Sequence, residues 1–127
     1  ELADFIARTE ADCIAVAVGT AHGLYVHEPK LHFDRLAALN DISPVPMVMH
    51  GGSGTPDDQI RKAVALGICK LNIFSEMLTA FNGALKEELA HAQHLAIWPH
   101  QLYQKPLAAL REVVRRKIAL VGSAGKA

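Results

Sequence analysis

The sequence predicts an α/β protein built on a parallel sheet, and three observations predict it. Short continuous apolar runs, suited to strands buried on both faces, alternate with longer stretches whose apolar residues recur at helical spacing. Two of the runs lead into glycine-rich loops that carry a histidine, His22 in Gly19-Thr-Ala-His-Gly-Leu-Tyr and His50 in His-Gly-Gly-Ser-Gly. The two histidines lie 28 residues apart, the span of one strand-helix unit. They can therefore end neighbouring parallel strands and point two imidazoles into one site at the strands' carboxyl ends, where α/β sheets and barrels bind ligands.

Leu2, Phe5 and Ile6 predict the end of an amphipathic helix over residues 2–9, with no start signal before it, so the chain reads as entered midway. Residues 13–18 form the first predicted strand, followed by a loop over 19–31. A short helix is marked by Phe33, Leu36 and Leu39. The next strand spans 44–49, its prolines confined to the entry. Thr55 is placed to cap the following helix, with Pro56 at its first position, Asp57 and Asp58 in the first turn, and Gly67 closing it after Ile60, Ala63 and Val64. Residues 68–74 read as a third strand. Ser75 is placed to cap a helix carrying Met77, Leu78, Phe81, Leu85 and Leu89. Residues 91–105 read as an irregular connection, and Pro106 opens a last helix with Leu107, Leu110, Val114 and Ile118. This order is a βα repeat with right-handed crossovers. Three strands cannot close a barrel, which takes about 250 residues. The chain is then either the last three strands and final helices of an eight-stranded barrel or a small open sheet.

Thirteen basic and thirteen acidic residues are well mixed, so nothing suggests a nucleic-acid surface or an anionic-membrane patch. The densest basic stretch, Arg111, Arg115, Arg116 and Lys117, is expected on the solvated face of one helix. Cys13 and Cys69 have no CxxC spacing and sit inside strand-like runs, as small buried apolar residues of a reducing compartment would. No apolar run approaches the roughly 20 residues that span a bilayer, and the amino end lacks signal-peptide character, so a cytoplasmic parent is expected.

His22 and His50 are the candidate metal ligands, since neutral imidazole at a strand end suits zinc. His27, His32, His91, His94 and His100 lack that setting and are assigned to loops and helix surfaces. Gly51, Gly52 and Gly54 clear side chains from a loop that leads into a helix, and Ser53 adds a hydroxyl, an arrangement that suits a phosphate. No Lys-Ser or Lys-Thr follows, and GxGxxG is absent, which excludes a nucleotide P-loop and the dinucleotide fingerprint. Asn72-Ile-Phe-Ser75 offers an amide and a hydroxyl at a second strand end, as either a phosphate contact or an ordinary helix cap.

Taken together, Ala17-Val-Gly-Thr-Ala-His-Gly-Leu-Tyr, Glu28-Pro-Lys-Leu, Phe33-Asp-Arg-Leu, Pro46-Met-Val-Met-His-Gly-Gly-Ser-Gly and Lys70-Leu-Asn-Ile resemble the carboxyl-terminal half of the class II, zinc-dependent ketose-bisphosphate aldolases of the fructose- or tagatose-bisphosphate type. The resemblance runs from about residue 12 to 82 and more weakly to the end of the chain. It implies a (β/α)8 TIM barrel of which residues 1–127 supply about strands six to eight and their helices, the upstream half being missing. It implies Zn2+ held by His22 and His50. It matches Gly23, Gly51, Gly52, Ser53, Asn72, Ile73, Phe74 and Ser75 to positions that contact dihydroxyacetone phosphate. The implied parent reversibly cleaves a phosphorylated ketose to dihydroxyacetone phosphate and an aldehyde, with zinc as the Lewis acid, and is a homo-oligomer, dimer or tetramer, without nucleic-acid or membrane partners.

The chain departs from that pattern in several places. The family's third histidine ligand and its adjacent catalytic aspartate form an Asp-His pair on an earlier strand, and no Asp-His occurs here. No catalytic residue is therefore assigned within the chain, and the segment alone is expected to be inactive. Phe74 stands where the family often has a small or polar residue, Ser75 replaces a common Thr, and residues 100–106 lack the Asp-Pro-Arg-like sequence usual before the final helix. Two other readings are a non-catalytic phosphate-binding or assembly module derived from the barrel, and another phosphate-binding βα barrel such as an isomerase.

Overall fold

A computed structural model of the chain describes residues 1–21, 23 and 27–126. Its elements run α1 (Leu2–Thr9), β1 (Ile14–Ala15), α2 (Phe33–Ile42), β2 (Met47–Met49), α3 (Asp57–Ala65), β3 (Ile68–Leu71), α4 (Ser75–His91), α5 (Pro99–Leu102) and α6 (Gln104–Leu120). The chain divides into two compact units, Glu1–Ile73 and Phe74–Ala127. No helix is long and apolar enough to cross a membrane among the described residues.

The first unit is the predicted parallel sheet, in the order β1-β2-β3. Ile14 pairs with Met47 and Ala15 with Val48; Met47 pairs with Ile68, Val48 with Lys70 and Met49 with Leu71, with an irregularity of register at Met47/Val48 that skips Cys69. β2 is central, and Met47, Val48 and Met49 are all buried, as expected of a strand covered on both faces. Leu36 from α2 and Ile60 and Ala63 from α3 are fully buried in this unit's core. Gly67 ends α3 at φ +104°, where an added Cβ would lie 2.2 Å from Asn40 Oδ1. Both the left-handed backbone and the close side chain require glycine there.

Several local expectations are corrected. β1 is two residues rather than six, and the ladder fades beyond it through Val16 N–H to Val48 O at 3.4 Å. Cys13 and Cys69 are exposed, not buried. An apolar run reveals that a strand can be covered on both faces, not that this chain covers both, and an apolar cavity of about 780 Å3 opens beside β1 between Leu2, Phe5, Ile14, Val16, Leu39 and Ile42. Thr55 does not cap α3. The helix starts one residue later than expected, with Pro56 at its cap, while the Thr55 hydroxyl donates to Gly51 O at 2.9 Å.

In the second unit Phe74, not Ser75, holds the cap position of α4, without a side-chain cap bond. The 91–105 connection contains α5, and α6 opens at Gln104, two residues before Pro106. The buried stripe of α6 is Pro106, Val113 and Lys117, whereas Leu107 and Ile118 are exposed, so the predicted face is rotated by one residue. At the end of that stripe the Lys117 ammonium lies 2.9 Å from Glu76 Oε2 on α4, an ion pair that lets the lysine turn inward. Arg111, Arg115 and Arg116 are solvated as expected; Lys117 is not. His27, His32, His91, His94 and His100 are all exposed.

Candidate functional site

The carboxyl end of β2 delivers His50 directly, because the strand stops at Met49 and the chain turns into the glycine loop. Gly51 and Gly54 adopt φ +69° and +78°, a left-handed conformation that strains any other residue. Gly52 is needed for a different reason. An added Cβ would stand 2.6 Å from Leu71 Cδ1 and 2.8 Å from Asn72 O, so the loop lies flush against the end of β3. Its N–H donates to Asn72 O at 3.0 Å. Gly52 thus contributes closeness, and its amide is spent on β3 rather than aimed at an anion. Ser53 and Thr55 are buried, and the Thr55 hydroxyl ties the start of α3 back to Gly51.

Carrying the β2–β3 register one step further sets Asn72 beside His50, and Asn72 N–H donates to Met49 O at 2.9 Å. The side chains meet: Asn72 Nδ2 lies 3.1 Å from His50 Nδ1 and 3.5 Å from Nε2. Lys70, two residues earlier on the same strand, donates from Nζ to Asn72 Oδ1 at 2.6 Å. An ammonium can only donate, so Oδ1 must be the end of the amide turned to Lys70, and the Nδ2 donor is left for the imidazole. The near-equal distances to Nδ1 and Nε2 set that donor against the ring and not along either nitrogen's lone pair. An exposed imidazole at a strand end has the chemistry of a zinc ligand. Among the described residues no three His, Cys, Asp or Glu side chains gather as a metal site.

Of the residues expected from sequence, the first unit brings together His50, Gly51, Gly52 and Asn72, with Ser53 in the same loop. His22 lies outside the described residues. Gly23 has φ +96°, with open space where a Cβ would stand. Ile73 is half-buried and closes the first unit; Phe74 opens the second and is 64% exposed. Ser75 begins α4, and its carbonyl accepts from the Thr79 hydroxyl at 2.9 Å. Phe74 has no polar side-chain atom, so any contact it makes with a phosphate is through its backbone.

Sequence reasoning assigned no role to Lys70. The available signal was its spacing: residues i and i+2 of a strand share a face, which aligns Lys70 with Asn72.

A family model described as fructose-bisphosphate aldolase class II matches residues 1–126. The chain belongs to the class II fructose-bisphosphate aldolase family. Solved structures agree. The YdjI aldolase of Escherichia coli K12 is 39% identical, with a TM-score of 0.87 over 99% of this chain and 46% of that one. A putative fructose-1,6-bisphosphate aldolase from Coccidioides immitis, at 21% identity, has a TM-score of 0.79 over 98% of this chain and 42% of that one. The fructose-bisphosphate aldolase of Campylobacter jejuni, at 24% identity, gives 0.66 over 95% and 44%. The latter two relate to this chain through fold alone. The chain spans less than half the length of these structures.

Proposed function

We propose that residues 1–127 are the carboxyl-terminal part of a class II aldolase barrel, about its sixth to eighth strands, whose parent reversibly cleaves a ketose bisphosphate or related phosphorylated ketose to dihydroxyacetone phosphate and an aldehyde. The observation that carries this reading is the contact of His50 with Asn72 at the ends of two adjacent parallel strands, 3.1 Å apart, beside the loop that Gly52 packs against β3. His50, with His22, would hold Zn2+, which supplies Lewis acidity toward the ketose oxygens. Asn72, oriented by Lys70, packs against the imidazole of His50 and positions it. The residues assigned to the phosphorylated substrate are Gly23, Gly51, Gly52, Ser53, Asn72 and Ile73 in the first unit, with Gly52 acting by leaving room, and Phe74 and Ser75 in the second. The apolar cavity beside β1 is where a preceding strand of the barrel would pack.

The 127 residues alone are expected to be inactive, since the third histidine and the proton-transferring aspartate belong to an upstream strand. The parent is a cytoplasmic homo-oligomer in this reading. The test starts from the mass of the protein isolated from its source. A mass near 30 kDa fits a complete barrel, in which chelation should abolish aldol cleavage and added Zn2+ should restore it. Cleavage that survives exhaustive metal removal would overturn the zinc aldolase. A mass near 13.7 kDa, together with phosphate binding but no cleavage, would favour a non-catalytic assembly module.

A further inference from the structure

Loop 19–31 contains His22 and Gly23, and its two ends are drawn together in the first unit. His32 N–H donates to Val18 O at 2.9 Å. Gly19 runs so close to the returning chain that a Cβ there would be 2.4 Å from Lys30 O. A third tie comes from outside the loop. On α3, Gln59 Oε1 accepts the Leu31 N–H at 3.0 Å, and Nε2 donates to Pro29 O at 3.0 Å and to Glu28 Oε1 at 3.4 Å. One amide thus satisfies both backbone polarities of an irregular segment about 30 positions away in sequence. Gln59 is half-buried and Leu31 is buried, so water competes poorly for these bonds.

α3 also begins where the other histidine loop ends. Thr55, just before the helix, bonds to Gly51 of the His50 loop, while Gln59, one turn further on, bonds to the returning limb of the His22 loop. From this we infer that Gln59 is a positioning residue, clamping the limb over 28–31, by which the chain returns from the loop bearing His22, to the helix that follows the loop bearing His50. The inference rests on the zinc-aldolase reading of the two histidines. Gln59 acts through the backbone of Pro29 and Leu31. Groups that orient a metal ligand typically set its affinity within 10–100-fold, and the clamp acts at that level through the loop.

The experiment uses the intact protein with Gln59→Leu, which keeps the side chain's bulk and removes both hydrogen-bonding ends, and reads two quantities. Amide exchange at Leu31 should accelerate more than about tenfold while amides within α3 keep their protection, and Zn2+ affinity, measured against a competing chelator, should fall about tenfold or more. Gln59→Glu keeps the acceptor for Leu31 but sets a carboxylate against Glu28, so it should also weaken zinc. Adding Glu28→Gln should recover part of that loss, which a general loss of packing would not permit. Unchanged zinc affinity in Gln59→Leu overturns the positioning role, and unchanged exchange at Leu31 overturns the clamp. Failure of the underlying reading has a different signature, because the unmutated protein itself would then bind no zinc.

Discussion

The two units of the chain are held together by different means. Among the described residues, every buried apolar side chain except Pro106 and Val113 lies in Glu1–Ile73, where three strands and the faces of α2 and α3 meet. In Phe74–Ala127 the long helix α4 has no buried residue, and the innermost charged group is Lys117, paired with Glu76. The first unit sets the polar cluster Lys70–Asn72–His50 at strand ends that emerge from a buried core. The second unit offers long amphipathic surfaces with exposed Leu78, Leu89, Trp98 and Leu107.

The sharpest way to break this comparison is truncation in each unit. Leu36→Ala, at a fully buried position, should cost about 2–5 kcal/mol, whereas Leu78→Ala on α4, 41% exposed, should cost clearly less; denaturant titration of both would show the contrast, and equal costs would erase it. His50→Ala should lower zinc affinity and cleavage in the intact protein more than about a hundredfold while leaving stability within about 0.5 kcal/mol, because the ring is exposed. A zinc titration beside a thermal melt separates the two effects. Gly52→Ala should destabilise by about 1–3 kcal/mol, since the new methyl meets Leu71 and the Asn72 carbonyl, and its melt should shift even with zinc absent. In the second unit, Lys117→Ala should cost about 1–3 kcal/mol by leaving Glu76 without its ammonium, while Lys117→Met with Glu76→Gln should recover most of that.

The smallest effect concerns pH. Lys105 donates to Glu88 at 2.6 Å, and this hydrogen bond, reinforced by the carboxylate's charge, raises its pKa above the ordinary 10.5. A lysine whose folded pKa is raised contributes its stability fully below its unfolded pKa and loses it only as pH climbs through the folded one. The stability difference between Lys105→Met and the unmutated protein should therefore be small and flat from pH 6 to 9, as urea midpoints at several pH values would show; a slope in that window would contradict the assignment.

Much of the first unit was legible in the sequence because its elements are punctuated. Pro44 and Pro46 mark the entry to β2, and Gly51, Gly54 and Gly67 stand where the backbone turns left-handed. The side chains that organise the site were less legible. Gln59 and Lys70 look like solvated polar residues until a distant backbone or a neighbouring amide is brought to them, which no local pattern encodes. Cys13 and Cys69 misled for the opposite reason: apolar neighbours in sequence do not guarantee a covering layer in space. Lys117 misled because its charge suggested solvent when a partner on another helix allowed it inward.

The skipped residue in β3 has a consequence for how this strand tolerates change. Ile68 faces the same way as its partner Met47, and strict alternation from Ile68 would send Lys70 and Asn72 that way too. With Cys69 bulged out, Lys70 aligns with Val48 and Asn72 with His50, so everything beyond the bulge is offset by one from the alternation that built the core. Inserting or deleting one residue after Cys69 would leave Ile68 packed as it is, yet bring Leu71 or Ile73, neither of which can hydrogen-bond through its side chain, to the place beside the imidazole.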